Sequence, residues 1–254
     1  MRAYVQGLQP DTTYYYRFLG GGQAVSRSGR TRSAPAPGQA VDTRVAFVSC
    51  QNYEDAFFGS WARMLEDDLQ VPENEQIQFV LHLGDFIYER RWPRALGGGP
   101  HPRSLPPLPD GAADGERRHA LTLADYRHLY RAYLGDPHLQ AARARWPFVC
   151  TWDDHEFSND NFQSYSNYGA EPLLEPQRKR DANQAWFEFV PSVLGQLAGE
   201  PAHDFIADPV DTEDGDSANR AARDSLCIYR RLRWGSRLDI LLTDTRSYRS
   251  PPCL

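Results

Sequence analysis

Three β-prone runs of the chain end in side chains that can bind metals. VAFVSC (residues 45–50) ends in a thiol, FVLHLGD (79–85) in a carboxylate, and FVCTWDDHE (148–156) in two aspartates, a histidine and a glutamate. Each tip alone says little, because a lone cysteine after a strand is more often packing and a Gly-Asp pair is often only a turn. Strands separated by helices form a parallel sheet, and such sheets carry ligands at the carboxyl ends of their strands. That fold would bring Cys50, Asp85 and the Asp153-Asp154-His155 triplet to one edge. Carboxylates crowded together repel one another and resist ionisation unless cations neutralise them. A metal centre therefore accounts for charge at the end of a buried strand.

The donor types divide into two kinds. Tyr88 follows Asp85 in GDFIYE, so one loop turn can bring both onto the same ion. A thiolate and a phenolate are poor ligands for calcium or magnesium and good ones for a polarising transition metal such as ferric iron. Asp154 and the oxygen donors of FSNDNF, Asn159 especially, suit a harder ion, calcium or manganese. Asp85 is placed to bridge the two positions. Two ions held close together would clamp a phosphate and generate hydroxide at working pH. His155 is then the candidate proton donor to a leaving oxygen.

The elements that must position these residues are legible as alternating strand and helix from residue 43 onward. VAFVSC reads as a strand buried on both faces. Residues 57–69 place Phe57, Trp61, Met64 and Leu65 at helical spacing. His82, inside the second strand, reads as structural. The proline- and glycine-rich stretch 93–115 reads as a surface loop. Residues 121–134 form an amphipathic helix capped by Thr122, and a short helix follows Asp136-Pro137. A helix over 183–190 precedes two strands, LCIYRRLRW and RLDILLTD, joined as a hairpin at Gly235-Ser236. Ahead of all this, TTYYYRFLG and its neighbours read as strand, turn and strand, followed by a proline-broken linker near residues 34–42.

Bulk properties exclude several classes. The net charge of −6 argues against a nucleic-acid binder, though not against a phosphate substrate once cations are bound. No apolar run approaches the roughly 18 residues of a membrane span, and the N-terminus has no signal-peptide core. Four scattered cysteines make no disulfide framework, and Cys150 and Cys227, inside β-prone runs, read as buried hydrophobes. The turn SCQNYED lacks the glycines of a nucleotide-binding loop, which disfavours that class. Trp92, Trp146 and Trp152 could shape a pocket.

The segments VSCQNYEDAFF, HLGDFIYE, LADYRHLYRAYLGDPHLQAARARWPFVCTWDDHE and LLTDTRSYR resemble, in order, the PhoD-like alkaline phosphatases, a branch of the calcineurin-like metallophosphoesterases. The resemblance implies an α/β fold, the first βαβαβ half of a metallophosphoesterase-type sandwich, over residues 43–254. Residues 1–33 resemble the last strands of a preceding fibronectin-III-like domain. The activity implied is metal-dependent hydrolysis of phosphate esters. By the same resemblance Cys50, Asp85 and Tyr88 bind Fe(III), Asp85 is shared with Ca2+, Asp154 is a metal ligand, and His155 acts on the substrate; Asn159 is the weaker transfer. Asp153 matches a glycine of the wider superfamily and receives no role.

Two departures from the family pattern stand out. The family's late GDxH-type histidine, a further iron ligand, has no counterpart here, and neither does the twin-arginine signal of its exported members. The chain thus reads as a fragment that needs the missing C-terminal half of its own domain to complete the site. Its parent would be periplasmic or secreted. The alternative is a non-catalytic metal- or phosphate-binding module that retains half a site.

Overall fold

The computed structural model describes residues 3–92, 103–114, 117–192, 194, 205, 210 and 214–251. At the front, β1 (Thr13–Tyr16), β2 (Leu19–Gly20), β3 (Gln23–Ala24) and β4 (Gly29–Arg32) form two antiparallel ladders, β1 on β4 and β2 on β3. The strands that carry the tips follow. These are β5 (Val45–Val48), then β6 (Phe79–His82) after helix α1 (Gly59–Gln70), and later β10 (Phe148–Cys150). They pair in parallel in the order β10-β6-β5. His82 lies opposite both Val48 and Cys150, so the three strands end level and their tips emerge side by side.

Between β6 and β10 lie β7 (Arg90–Arg91), β8 (Ala112–Asp114), β9 (Arg117–His119), α2 (Leu123–Leu134) and α3 (Pro137–Arg145). Thr122 closes a capping box with Asp125 at the start of α2, and Asp136 caps α3 ahead of Pro137, as their sequences predict. On α2, Tyr126, Leu129, Tyr130 and Tyr133 recur on one face and are fully buried in the main core. The Tyr133 hydroxyl accepts the backbone N–H of both Tyr53 and Tyr88, which ties that core to the loop behind the site. After β10 come β11 (Tyr165–Ser166), β12 (Leu173–Leu174), α4 (Pro176–Phe189), α5 (Gly215–Asp224) and the hairpin β13 (Arg230–Trp234) and β14 (Leu238–Leu242). Gly235 turns that hairpin at φ +61°, where an added Cβ would meet the Gln39 carbonyl oxygen at 2.5 Å.

Several expectations are corrected. VAFVSC is not buried on both faces: β5 is an edge strand, and Phe47 is 74% exposed. Ala46 and Val48 face the main core, whereas on the opposite face of the sheet Trp234 lies on Phe79, with ring centroids 4.6 Å apart. Phe57 falls outside α1 and is exposed. The loop 93–115 is anchored in its described part. Arg103 pairs with Asp136 and stacks on Tyr53, the Leu105 N–H reaches Glu54, and Leu105 is buried; residues 93–102 and 115 lie outside the described residues. The predicted helix over 183–190 begins seven residues earlier, at Pro176. Cys150 is buried but Cys227 is exposed, because it precedes β13 and points away from its buried neighbours Leu226 and Ile228.

Candidate metal centre

The β5 and β6 tips are locked to each other by the Cys50 N–H on the Gly84 carbonyl and the Gln51 N–H on the Asp85 carbonyl. Cys50 and Asp85 both take left-handed backbone conformations, φ +57° and +54°, although neither is glycine. Such residues are strained and persist only where their surroundings fix them. For Asp85 the fixing group is Glu156. Its buried carboxylate accepts the N–H of Asp85 (3.1 Å), Phe86 (2.6 Å) and Asp153 (2.8 Å), and so clamps the β6 tip to the β10 tip.

Asp85 is the hub of what these tips present. Its Oδ2 lies 3.2 Å from the Cys50 Sγ and 3.4 Å from the Tyr88 hydroxyl, and its Oδ1 is 3.4 Å from the His155 N–H. Asp85, Asp154 and His155 each offer a ligand atom, all within 4.8 Å of one another, the geometry of a metal-holding group. Burial raises the Asp85 carboxyl above its ordinary value, with the Asp154 and Asp153 charges adding to it against the pull of His155 and Cys50. A bound cation would reverse that penalty. Burial likewise raises the Cys50 thiol and the Tyr88 phenol.

His155 has a carboxylate behind it. Its Nδ1 lies 2.6 Å from Glu89 Oε2, and its ring stacks on Tyr88 with centroids 4.0 Å apart. Burial works against the imidazolium, yet Glu89, with Asp154 and Asp85 beyond it, lifts its pKa to about 9. Glu89 is fully buried and also accepts from the Tyr168 hydroxyl (2.5 Å) and the Asn159 N–H (2.9 Å). It stays ionised, with its pKa near 2, because those donors and His155 outweigh burial. Arg178 extends this shell by donating to Tyr168 and Tyr126.

Of the residues singled out in the sequence, Cys50, Asp85, Tyr88, Asp154 and His155 therefore converge. Asn159 stands beside the group: its backbone serves Glu89 and its amide donates to Asp160. Asp153, left without a role, pairs with Arg246 at 2.6 Å, and Arg246 also comes within 3.8 Å of Asp154. The segment after β14 is thereby fastened to the WDDHE tip, helped by Trp152 Nε1 on Asp244 and Thr151 on the Thr243 carbonyl. Sequence reasoning missed Glu89, Tyr168, Arg246 and the clamp made by Glu156. Glu89 ends the quoted GDFIYE and Glu156 ends WDDHE, so both stood inside motifs without a visible partner.

Comparison with known proteins gives concordant results. The family model for PhoD-like phosphatase matches residues 45–254. Alkaline phosphatase D of Bacillus subtilis (strain 168) is 30% identical over 244 residues, an alignment covering 96% of this chain and 35% of that protein. A solved structure of PhoD superimposes with a TM-score of 0.70 at 30% identity, over 96% of this chain and 39% of that one. The chain thus spans between a third and two fifths of the length of the relatives it matches.

Proposed function

We propose, from the premise that this chain belongs to the PhoD-like phosphatase family, that its clustered strand tips hold metal ions and serve the hydrolysis of phosphate esters. The observation that carries the reading is the convergence of Cys50, Tyr88, Asp154 and His155 on the single carboxylate of Asp85. The donor set fits two ions of different character. Cys50, Tyr88 and Asp85 suit ferric iron, and Asp154 with the second oxygen of Asp85 suits calcium. Asn159 would join the harder ion through its amide oxygen, since its amide nitrogen donates to Asp160. When bound, such ions neutralise phosphate charge and lower the pKa of water.

The chain's own residues supply the rest. His155, held as an imidazolium by Glu89, donates from its other ring nitrogen to the oxygen that leaves phosphorus. Glu89 fixes the ring's orientation, as a carboxylate behind a catalytic histidine does. Arg246 pairs with Asp153 and stands 3.8 Å from Asp154, so it screens the repulsion between the two acids. Within the same proposal, residues 43–254 are the first half of a metallophosphoesterase sandwich, residues 1–33 a fibronectin-III-like remnant, and the parent protein is exported. Among the described residues, no helix is long and apolar enough to cross a membrane.

The test is metal content by elemental analysis together with p-nitrophenyl phosphate hydrolysis at alkaline pH. Both are measured on the chain, on the chain joined to the additional length its relatives carry, and on Cys50→Ala in each. Iron and calcium with hydrolysis in the longer protein, and loss of iron and turnover in Cys50→Ala, is the expected result. Hydrolysis indifferent to Cys50, or a longer protein without iron, would refute the ligand assignment. Metal binding without hydrolysis in the longer protein would make the chain a binding module instead.

A further inference from the structure

Away from the strand tips, β4 packs on α3, and two adjoining cavities open along that seam. The larger, about 630 Å³, is walled by Phe18, Val25, Trp146 and Phe148 and also lined by Arg27 and Arg143. The smaller, about 360 Å³, is lined by Arg30 and Arg145, and the two share Arg27. Four arginines thus line the seam, and none of the described lining residues is acidic, in a chain whose net charge is −6. Arg145 is already engaged by Asp68. Arg30 is different: it is only 7% exposed, Tyr15 meets part of its guanidinium, and its Nη1 is buried with no hydrogen-bond partner. A buried charged donor left unmet is costly, and native structures rarely keep one without a use. Neither Arg27 nor Arg143 has an ion pair among the described residues, and burial pulls the pKa of Arg30 and Arg143 down.

We propose that this seam binds an anionic amphiphile, a small molecule with one anionic head group and an apolar body. The head meets the exposed Arg27 at the smaller cavity, with the buried charge of Arg30 behind it, and the body lies along Phe18, Val25, Trp146 and Phe148 in the larger. The volume of the larger cavity falls within the range of small-molecule sites, which are mostly apolar with a few placed polar groups. The site is independent of the metal centre and of the reading given to it.

Isothermal titration calorimetry on the whole chain tests this with decanoate, decanol and acetate. Decanoate is expected to bind at one equivalent, with decanol and acetate binding at least tenfold more weakly. Arg27 is exposed, so Arg27→Gln leaves folding intact and weakens decanoate about tenfold, the loss of one charge-assisted hydrogen bond. Val25→Glu, also at an exposed position, adds an acid to the lining and abolishes binding. His155→Ala, at the metal centre, leaves it unchanged. Decanol binding as tightly as decanoate, or wild-type affinity in both Arg27→Gln and Val25→Glu, overturns the proposal. So does loss of decanoate binding in His155→Ala, which would place the ligand at the metal centre.

Discussion

Replacing Gly84 by alanine should disable the site without touching a ligand. The residue sits at φ +111°, a conformation that costs an L side chain roughly 1–3 kcal/mol. A Cβ there would lie 2.3 Å from the Asp153 nitrogen, 2.6 Å from its Cβ and 2.7 Å from the Trp152 carbonyl carbon. Two of these atoms are backbone, so no rotamer change relieves the overlap, and the β6 and β10 tips must separate by about 1 Å to reach ordinary contact. Separation pulls on Glu156 Oε2, which accepts N–H groups from both tips, and leaving one such buried N–H unmet costs about 1–3 kcal/mol. Together the terms come to roughly 2–6 kcal/mol, or a Tm lower by roughly 4–24 °C for a chain of this size. Thermal unfolding measures the loss, with Gly21→Ala as the control. Gly21 is also at positive φ, +57°, but has nothing within 4 Å of its would-be Cβ, so it isolates the backbone cost. Gly84→Ala should fall well below that control and lose metal binding, while Gly21→Ala keeps it. Equal Tm losses in the two variants, or wild-type metal content in Gly84→Ala, would refute the close approach.

Other perturbations test the remaining parts of the argument. Glu89→Gln should cut kcat for p-nitrophenyl phosphate in the longer protein by about 10–100-fold with metal content retained, because it removes the charge behind His155 and sets an amide NH2 among donors that need an acceptor; unchanged turnover would dissociate the pair from catalysis. A double-mutant cycle of Asp153→Asn and Arg246→Gln in urea unfolding should return a coupling of about 1 kcal/mol, kept small by the partial exposure of Asp153; zero coupling would remove Arg246 as the fastening of the tip. Lys179 is buried against the rings of Trp152 and Phe157, and burial lowers its pKa from 10.5 to about 8. Between those pH values the unfolded chain holds a proton that the folded chain has released, so wild-type stability gains as pH rises through the window. Lys179→Met lacks that gain. The variant-minus-wild-type difference in unfolding free energy should therefore fall by up to about 3 kcal/mol across pH 8–10.5, and a pH-independent difference would contradict the buried-lysine account.

What the sequence disclosed and what it withheld follow from range. The candidate ligands at the strand tips were legible because each continues a β-prone run, so one parallel sheet suffices to gather them. Thr122 was legible as a cap, and Asp136-Pro137 as the place where a helix begins, because a cap speaks to N–H groups within three residues. Glu89, Tyr168 and Arg246 were not, because their partners lie 66, 79 and 93 residues away along the chain and no local pattern encodes such a pairing. The same distance hid the anchoring of Leu105, whose proline-rich surroundings read as loop while Glu54, 51 residues earlier, holds it in place. Phe47 misled for another reason. An apolar run has the same pattern in a strand enclosed on both faces and in an edge strand with one face open.

The strain at the tips and the charge at the tips are one design. Cys50 and Asp85 adopt positive φ so that their side chains turn from the strand direction toward a common point, and this places a thiol beside a carboxylate where neither is comfortable alone. The cost of that arrangement is offset by groups that bind no ion: Glu156 holding three N–H donors, Gly84 allowing the backbones to touch, Glu89 holding His155, and Arg246 drawing off the charge of Asp153. Each of these supports acts between two tips or behind one, so none could relax independently of the others. A centre built this way is organised before any ion arrives. Under the proposed reading the ion then offsets the burial of Asp85 and its repulsion with Asp154 and Asp153, and the binding energy is not spent on ordering the loops.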